Sequence, residues 1–280
     1  MTAEELREGW RAVAAGWERQ RAAMWETTRP VSERLVELLA PEPGDTVLEL
    51  AGGSGDTGLL AAERVGPSGR VIESDFVPEI VDSARRRAAE VGAENVEFRV
   101  LDAESLDLAD ESVDGVLCRW GFMLTSDMAT AFAETARVLR RPDGRVAFAV
   151  WGTPEENAWA STVGRVLVEH GLAPPPAPDG PGPFRLGDRS RVRELVEGAG
   201  LELVSNEDFP ITFRHRSFDD FWETTQDVSR AVQTALESAD SDTIAGVKTE
   251  LADRFAAFED EGGALTVPGV TQVVLAHHPA

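Results

Sequence analysis

Tyrosine is absent from this chain of 280 residues, lysine occurs once, at Lys248, and cysteine once, at Cys118. A lone cysteine excludes an intrachain disulfide and any zinc site built on cysteines. No His/Asp/Glu cluster has ligand spacing either, so no metal is expected. Long apolar runs are missing: no stretch approaches the ~18 residues that a membrane-spanning helix needs. The opening residues MTAEELREGW are acidic and lack an apolar run, so no export signal is read there and the cytoplasm is the expected location. Basic stretches are equally scarce. The longest, Arg85-Arg86-Arg87, would spread around a helix as a solvated face. Against 27 basic residues stand 50 acidic ones, a formal net charge of -23. That field repels phosphate backbones and anionic lipid, so neither nucleic acid nor membrane is an expected partner.

What is present reads as one globular α/β unit. A hydrophobic fraction of 42% is ordinary for a chain with a core. The N-terminal segment has helical spacing, with Thr2 and Glu5 as a capping box and Leu6, Trp10, Val13, Trp17 and Met24 on one face. A second helix is expected from Pro30 to Leu39, ended by Pro41-Glu42-Pro43-Gly44. Short apolar runs then alternate with helical ones. Strands are predicted at 46–50, 70–74, 95–101, 113–118 and 145–151, with helices near 56–65, 78–91 and 127–140. This rhythm predicts a doubly wound, mostly parallel sheet. Residues 173–184 hold six of the sixteen prolines and read as a loop or hinge. Helices near 155–170 and 189–199, a strand over 201–213, helical residues 218–262 and a last strand at 270–276 complete the chain. The 218–262 insertion between two terminal strands is a candidate cap.

The segment ELAGGSGDTG (49–58) joins the first strand to its helix. Glycines there let backbone N–H groups approach a ligand at a helix N-terminus. Gly53-x-Gly55-x-x-Gly58 also fits a dinucleotide fingerprint, so the glycines alone decide little. Acids follow the strands at spacings of 26 and 27 residues: Glu49, Asp75 and Asp102. Each step is about one βα unit, which sets all three at the carboxyl edge of the sheet, where open α/β folds bind ligands. An acid after the second strand can accept from ribose hydroxyls, and one after the third from an adenine amino group.

Residues 44–151 resemble the cofactor-binding core of class I S-adenosylmethionine (SAM)-dependent methyltransferases, in particular the UbiE/COQ5-like, type 11 group. The acid-x-Gly-x-Gly-x-Gly pattern appears as Glu49-Leu50-Ala51-Gly52-Gly53-Ser54-Gly55, with Ala51 where the family has its first glycine. GRVIESDFVPEIVDSARRRA (69–88) and LDAESLDLADESVDGVLCRWGFM (101–123) resemble the family's later motifs. The resemblance implies a seven-stranded, Rossmann-like sheet with an N-terminal helical lid (1–43), a SAM-binding core (44–151) and a substrate-side half (152–280) carrying the cap before the last strand. It also implies that Glu49, Ala51, Gly53 and Gly55 hold the methionine portion of SAM, that Asp75 binds the ribose, that Phe76 flanks the adenine, that Asp102 and Ala103 read its edge, and that Arg119 lies beside the methionine. The implied activity is methyl transfer to a small molecule, with Trp17, Trp25, Trp120 and Met123 on the substrate side.

Two other readings compete. A nicotinamide oxidoreductase would use the same glycines and Asp75, but the Tyr-x-x-x-Lys pair that the short-chain enzymes need is impossible without tyrosine. A SAM-binding module without catalysis would keep the site and lose the chemistry. Of the four histidines, His215 is the best placed to act as a base; His170 suits a helix C-terminus, and His277 and His278 are expected to be exposed.

Overall fold

The computed structural model describes residues 3–177 and 180–279. β1 (Thr46–Leu50), β2 (Arg70–Asp75), β3 (Val96–Val100), β4 (Gly115–Arg119), β5 (Arg145–Trp151), β6 (Glu202–His215) and β7 (Leu265–His277) form one sheet in the order β3-β2-β1-β4-β5-β7-β6. β7 runs antiparallel to β5 and β6; the other pairings are parallel. β1 is buried along its whole length because helices cover both faces of the sheet. Direction of winding reverses between β1 and β4, which opens a crevice beyond their carboxyl ends.

α2 (Asp56–Val65), α3 (Pro78–Val91), α4 (Met128–Val138), α5 (Ala158–Glu169) and α6 (Arg189–Gly198) follow the expected alternation. Phe122, Phe132 and Phe148 stack between β4, β5 and α4 at centroid distances of 4.3 to 5.3 Å and anchor the core. The two expected N-terminal helices are one, α1 (Ala3–Leu39), with Pro30 inside it. An interior proline costs about 3 kcal/mol. Burying Val31, Leu35, Val36 and Leu39 against the sheet is worth about 1.5–3 kcal/mol each, so packing outweighs the lost hydrogen bond. Thr2 of the expected capping box lies outside the described residues. On the expected face of the first half Val13 is buried and Leu6, Trp10 and Met24 are half-buried, but Trp17 is 36% exposed and the neighbouring Gly16 is buried instead.

β6 and β7 run well past their neighbours. β5 ends at Trp151, opposite Thr271, whereas β6 and β7 continue through six further pairs to His215 and Leu265. This part of β7 was not expected, since Pro268-Gly269 reads as a turn. β7 has β6 as its one strand partner there, so a proline without an N–H is tolerated, as is Pro210 in edge strand β6. Three helices, α7 (Phe218–Val228), α8 (Arg230–Glu237) and α9 (Ser241–Phe255), join the projecting ends and sit on the carboxyl side of the sheet. α1 crosses the same side and packs on α7, where a Cβ on Gly16 would strike the backbone of Asp227.

Candidate active site

The loop from β1 to α2 is the centre of the site. Gly53 and Gly55 adopt φ of +63° and +77°, where glycine is at ease. Ala51 takes φ +51° despite its methyl group. Gly52 donates to the Ser74 carbonyl at 2.9 Å and Gly55 to that of Gly52 at 3.0 Å. The underside of the loop is packed: a Cβ on Gly52 would collide with Glu73, and one on Gly58 with both Glu73 and Glu49. The upper side is open, and nothing lies within 4 Å of a Cβ built on Gly53.

Glu49 is buried beneath this loop and accepts from the Gly58 N–H at 2.5 Å. Asp75, at the end of β2, accepts from Gly53 at 3.3 Å and Val77 at 3.1 Å, which ties the second strand to the loop. Burial pushes its carboxyl up to about 6, against those two hydrogen bonds. Phe76 is half-buried and covered from α1: Arg7 Nε donates to its carbonyl at 3.1 Å, and the guanidinium lies 5.7 Å from the ring centroid. Asp102 spends one oxygen on the Glu104 N–H at 2.9 Å, forming the turn that also exposes part of Ala103. Arg119, at the end of β4, donates to Thr57 Oγ1 at 3.2 Å and stacks 4.8 Å from the Trp120 ring centroid. Burial lowers its pKa, while Glu49, Asp56 and Glu73 pull it back up.

Glu49, Asp75 and Asp102 therefore end three adjacent strands, with Arg119 on the next one. Free acceptor positions remain on Asp75 and Asp102 after these internal bonds, while the buried Glu49 offers its negative charge from beneath the loop. An ammonium, two ribose hydroxyls and an adenine amine form a matching set of donors, so the residues fit SAM.

The substrate-side residues divide. Trp120, at φ +60°, stacks on Trp151 at 4.3 Å and donates to Thr271 Oγ1 at 2.9 Å. Trp151 also meets Trp159, and Trp159 meets Phe213 on the projecting part of β6. Together they make an aromatic cluster in which Trp151 and Phe213 are buried and Trp120 and Trp159 half-buried. Met123 is not in it: its side chain is 1% exposed inside the core, where the turn after β4 folds back under α4. Trp17 is tied to the cap through the Val228 carbonyl at 3.2 Å, and Trp25 is half-buried along α1. His215 stands at the far end of β6, packed edge-on to Phe221 at 5.3 Å and 3.7 Å from Asp220. Burial lowers its pKa, against the pull of Asp220. Neither Trp17 nor His215 joins the carboxylates. His278 is buried rather than exposed, with Nε2 2.8 Å from the Ala136 carbonyl, because β7 pairs to its last residues and lays the terminus on α4.

Sequence reasoning missed Arg7, Arg21, Glu73, Trp151 and Trp159. Arg21 reaches Asp56 at the N-terminus of α2, at 3.7 Å. Glu73 had a signal: a charged residue in a strand buried on both faces. No comparable signal marks Arg7 or Arg21, which act across the fold.

The methyltransferase-domain family matches residues 47–144. Over 108 residues the chain is 46% identical to an arsenite methyltransferase of Halobacterium salinarum, covering 39% of this chain and 27% of that protein. Over 162 residues it is 33% identical to a demethylmenaquinone methyltransferase of Deinococcus radiodurans, covering 57% of this chain and 59% of that protein. The chain thus spans between about a quarter and three fifths of the length of these relatives. A solved protein from Bacillus halodurans C-125 shares the fold with a TM-score of 0.62 at 21% identity, over 89% of this chain and 99% of that one. These likenesses set the nicotinamide reading aside. Around its glycine loop and the acids that follow its first strands, residues 47–144 match the methyltransferase-domain family and are similar to the corresponding part of these methyltransferases.

Proposed function

We propose that the chain transfers the methyl group of SAM to a small, largely apolar molecule that lies against Trp120, Trp151, Trp159 and Phe213. The observation that carries this reading is the convergence of Asp75 and Asp102 at the open carboxyl edge beside the glycine loop, with Glu49 bracing the loop from beneath. Bound SAM supplies a sulfonium methyl that a nucleophile displaces in line, with a leaving group already activated. The chain's own residues bind and orient. Asp75 accepts from the ribose, Phe76 beneath Arg7 flanks the adenine, Asp102 and Ala103 meet its edge, and Glu49 acts from below the loop with Arg119. α1 and the α7–α9 cap exclude water from the crevice. Residues 44–151 are read as the cofactor half and 152–280 as the acceptor half. The acidic surface and the absence of a membrane-spanning helix among the described residues suit a small acceptor over nucleic acid or membrane, and suit the cytoplasm.

Calorimetric titration with SAM and with NADH tests the cofactor, with saturable binding expected for SAM alone. Conversion of SAM to S-adenosylhomocysteine in the presence of candidate acceptors tests the chemistry. Tight SAM binding with no turnover across a broad acceptor panel would favour a binding module instead.

A further inference from the structure

Glu73 has no role in the reading above, yet it is the most unusual group in the site. It sits inside β2, 2% exposed, and neither carboxyl oxygen has a hydrogen-bond donor among the described residues. It points up beneath the glycine loop, and its Oε2 crowds the same spot as Glu49 Oε2, under Gly58. Two carboxylates so close and so buried are not both ionised opposite the single charge of Arg119; without a further cation one carries a proton and donates it to the other.

The surroundings decide which. Glu49 is favoured as the anion by the Gly58 N–H, by Thr57 and by Arg119. Glu73 has none of these, and burial together with Glu49 raises its carboxyl well above the ordinary range. The remaining charges are accounted for. Asp56 of α2 is paired with Arg87 of α3 at 3.0 Å and lies 3.7 Å from Arg21 of α1. Asp75 of β2 is bonded to the loop, and Arg119 of β4 is the cation that faces the pair. With one proton shared, Glu49 and Glu73 carry a single negative charge against the single positive charge of Arg119.

A cation seated above the loop upsets that balance. We propose that Glu73 is a positioning residue for the cofactor, holding one proton against Glu49 and releasing it to solvent when a cationic ligand occupies the loop. The step is the loss of H⁺ from the Glu73 carboxyl to buffer, leaving two carboxylates opposite Arg119 and the ligand's positive charge. SAM carries a sulfonium that S-adenosylhomocysteine lacks, so release is larger for SAM. The pair thereby favours the charged cofactor over its spent product. This inference rests on the SAM-binding reading.

Calorimetry of SAM binding to the full chain, in buffers of different ionisation heat at about pH 8, reads affinity and proton count together. Asp75 is already ionised there and contributes little. Wild type is expected to release up to one proton more with SAM than with S-adenosylhomocysteine, which carries the same α-amino group. Glu73→Gln keeps the size and a donor toward Glu49 but cannot ionise; it is expected to show no such difference between the two ligands. Saturable SAM binding with no extra proton released by wild type overturns the proposal and leaves the cofactor reading intact. Absence of SAM binding overturns both. Should Glu73→Gln fail to fold, infrared spectra of wild type with ¹³C-labelled glutamate provide the second test. A protonated glutamate carbonyl band persisting at about pH 8 without ligand is expected, and its absence defeats the proposal.

Discussion

Asp75 owes its raised value, about 6, to burial that two backbone hydrogen bonds only partly offset. In the proposed site a ribose hydroxyl donates best to the ionised carboxylate, so ligand binding and proton binding would compete at this residue. SAM affinity should fall as pH drops below about 6, approaching tenfold per unit. Asp75→Ala should weaken SAM by roughly 1.5–3 kcal/mol at neutral pH, measured by calorimetry; unchanged affinity in a folded variant would remove Asp75 from the site. The sign for stability runs the other way. A carboxyl whose folded value exceeds its unfolded one stabilises the fold below the unfolded value, near 4, and that contribution is lost as pH rises through about 6. The site is thus strained most where it binds best. Ala51 tells a similar story through the backbone. Its φ of +51° strains an L-residue by about 1–2 kcal/mol, against ~0.5–1 kcal/mol of extra chain entropy that glycine loses on folding. Ala51→Gly should therefore stabilise the protein by about 0.5–1 kcal/mol in urea unfolding and alter SAM affinity less than tenfold. The methyl group is accommodated by Gly121, where a Cβ would lie 2.7 Å from both Ala51 Cβ and Cys118 Sγ.

Among the elements, the parallel half of the sheet was legible because each strand is a short apolar run and each helix has its period. β1 and β5 begin and end where the spacing predicts, and Glu49, Asp75 and Asp102 fall at the carboxyl edge for the same reason. What was illegible depends on partners distant in sequence. The extension of β7 through Pro268 is permitted by a missing neighbour, and α1 passes through Pro30 because both halves have surfaces to pack on. The inward turn of Gly16 and outward turn of Trp17 answer to the backbone of α7, which no local pattern encodes. This contact can be tested directly. Gly16→Ala puts a methyl group into the Asp227 backbone and should free the first half of α1 from α7. Hydrogen exchange over residues 5–20 should rise, while the sheet stays protected. Removal of residues 1–28 should go further: the core cluster begins at Val31, so the remainder folds, but Arg7 and Arg21 are lost and SAM affinity drops. A truncated protein with full SAM affinity would show that α1 is structural covering alone.

At the scale of the whole molecule, charge and architecture set the limits. With a net charge of -23 the surface repels itself, although its arginines are widely paired with acids. Screening should relieve that repulsion more than it weakens exposed pairs, which are worth little individually. The melting temperature should rise between about 0.05 and about 0.5 M salt; a fall would mean that the ion pairs dominate. The α7–α9 cap hangs from two strands bonded to each other through six pairs beyond the end of β5. Such a ladder does not swing without breaking its own hydrogen bonds. The second half of α1 is packed on the sheet through Val31, Leu35, Val36 and Leu39, while its first half reaches across to the Phe76 carbonyl through Arg7. In the proposed site, traffic into the crevice would pass under the first half of α1, and an acceptor seated against β6 would stand in the way of a cofactor seated deeper. For the proposed transfer this dictates a compulsory order: cofactor first to arrive and its demethylated form last to leave. S-adenosylhomocysteine should then inhibit competitively toward SAM and noncompetitively toward the acceptor.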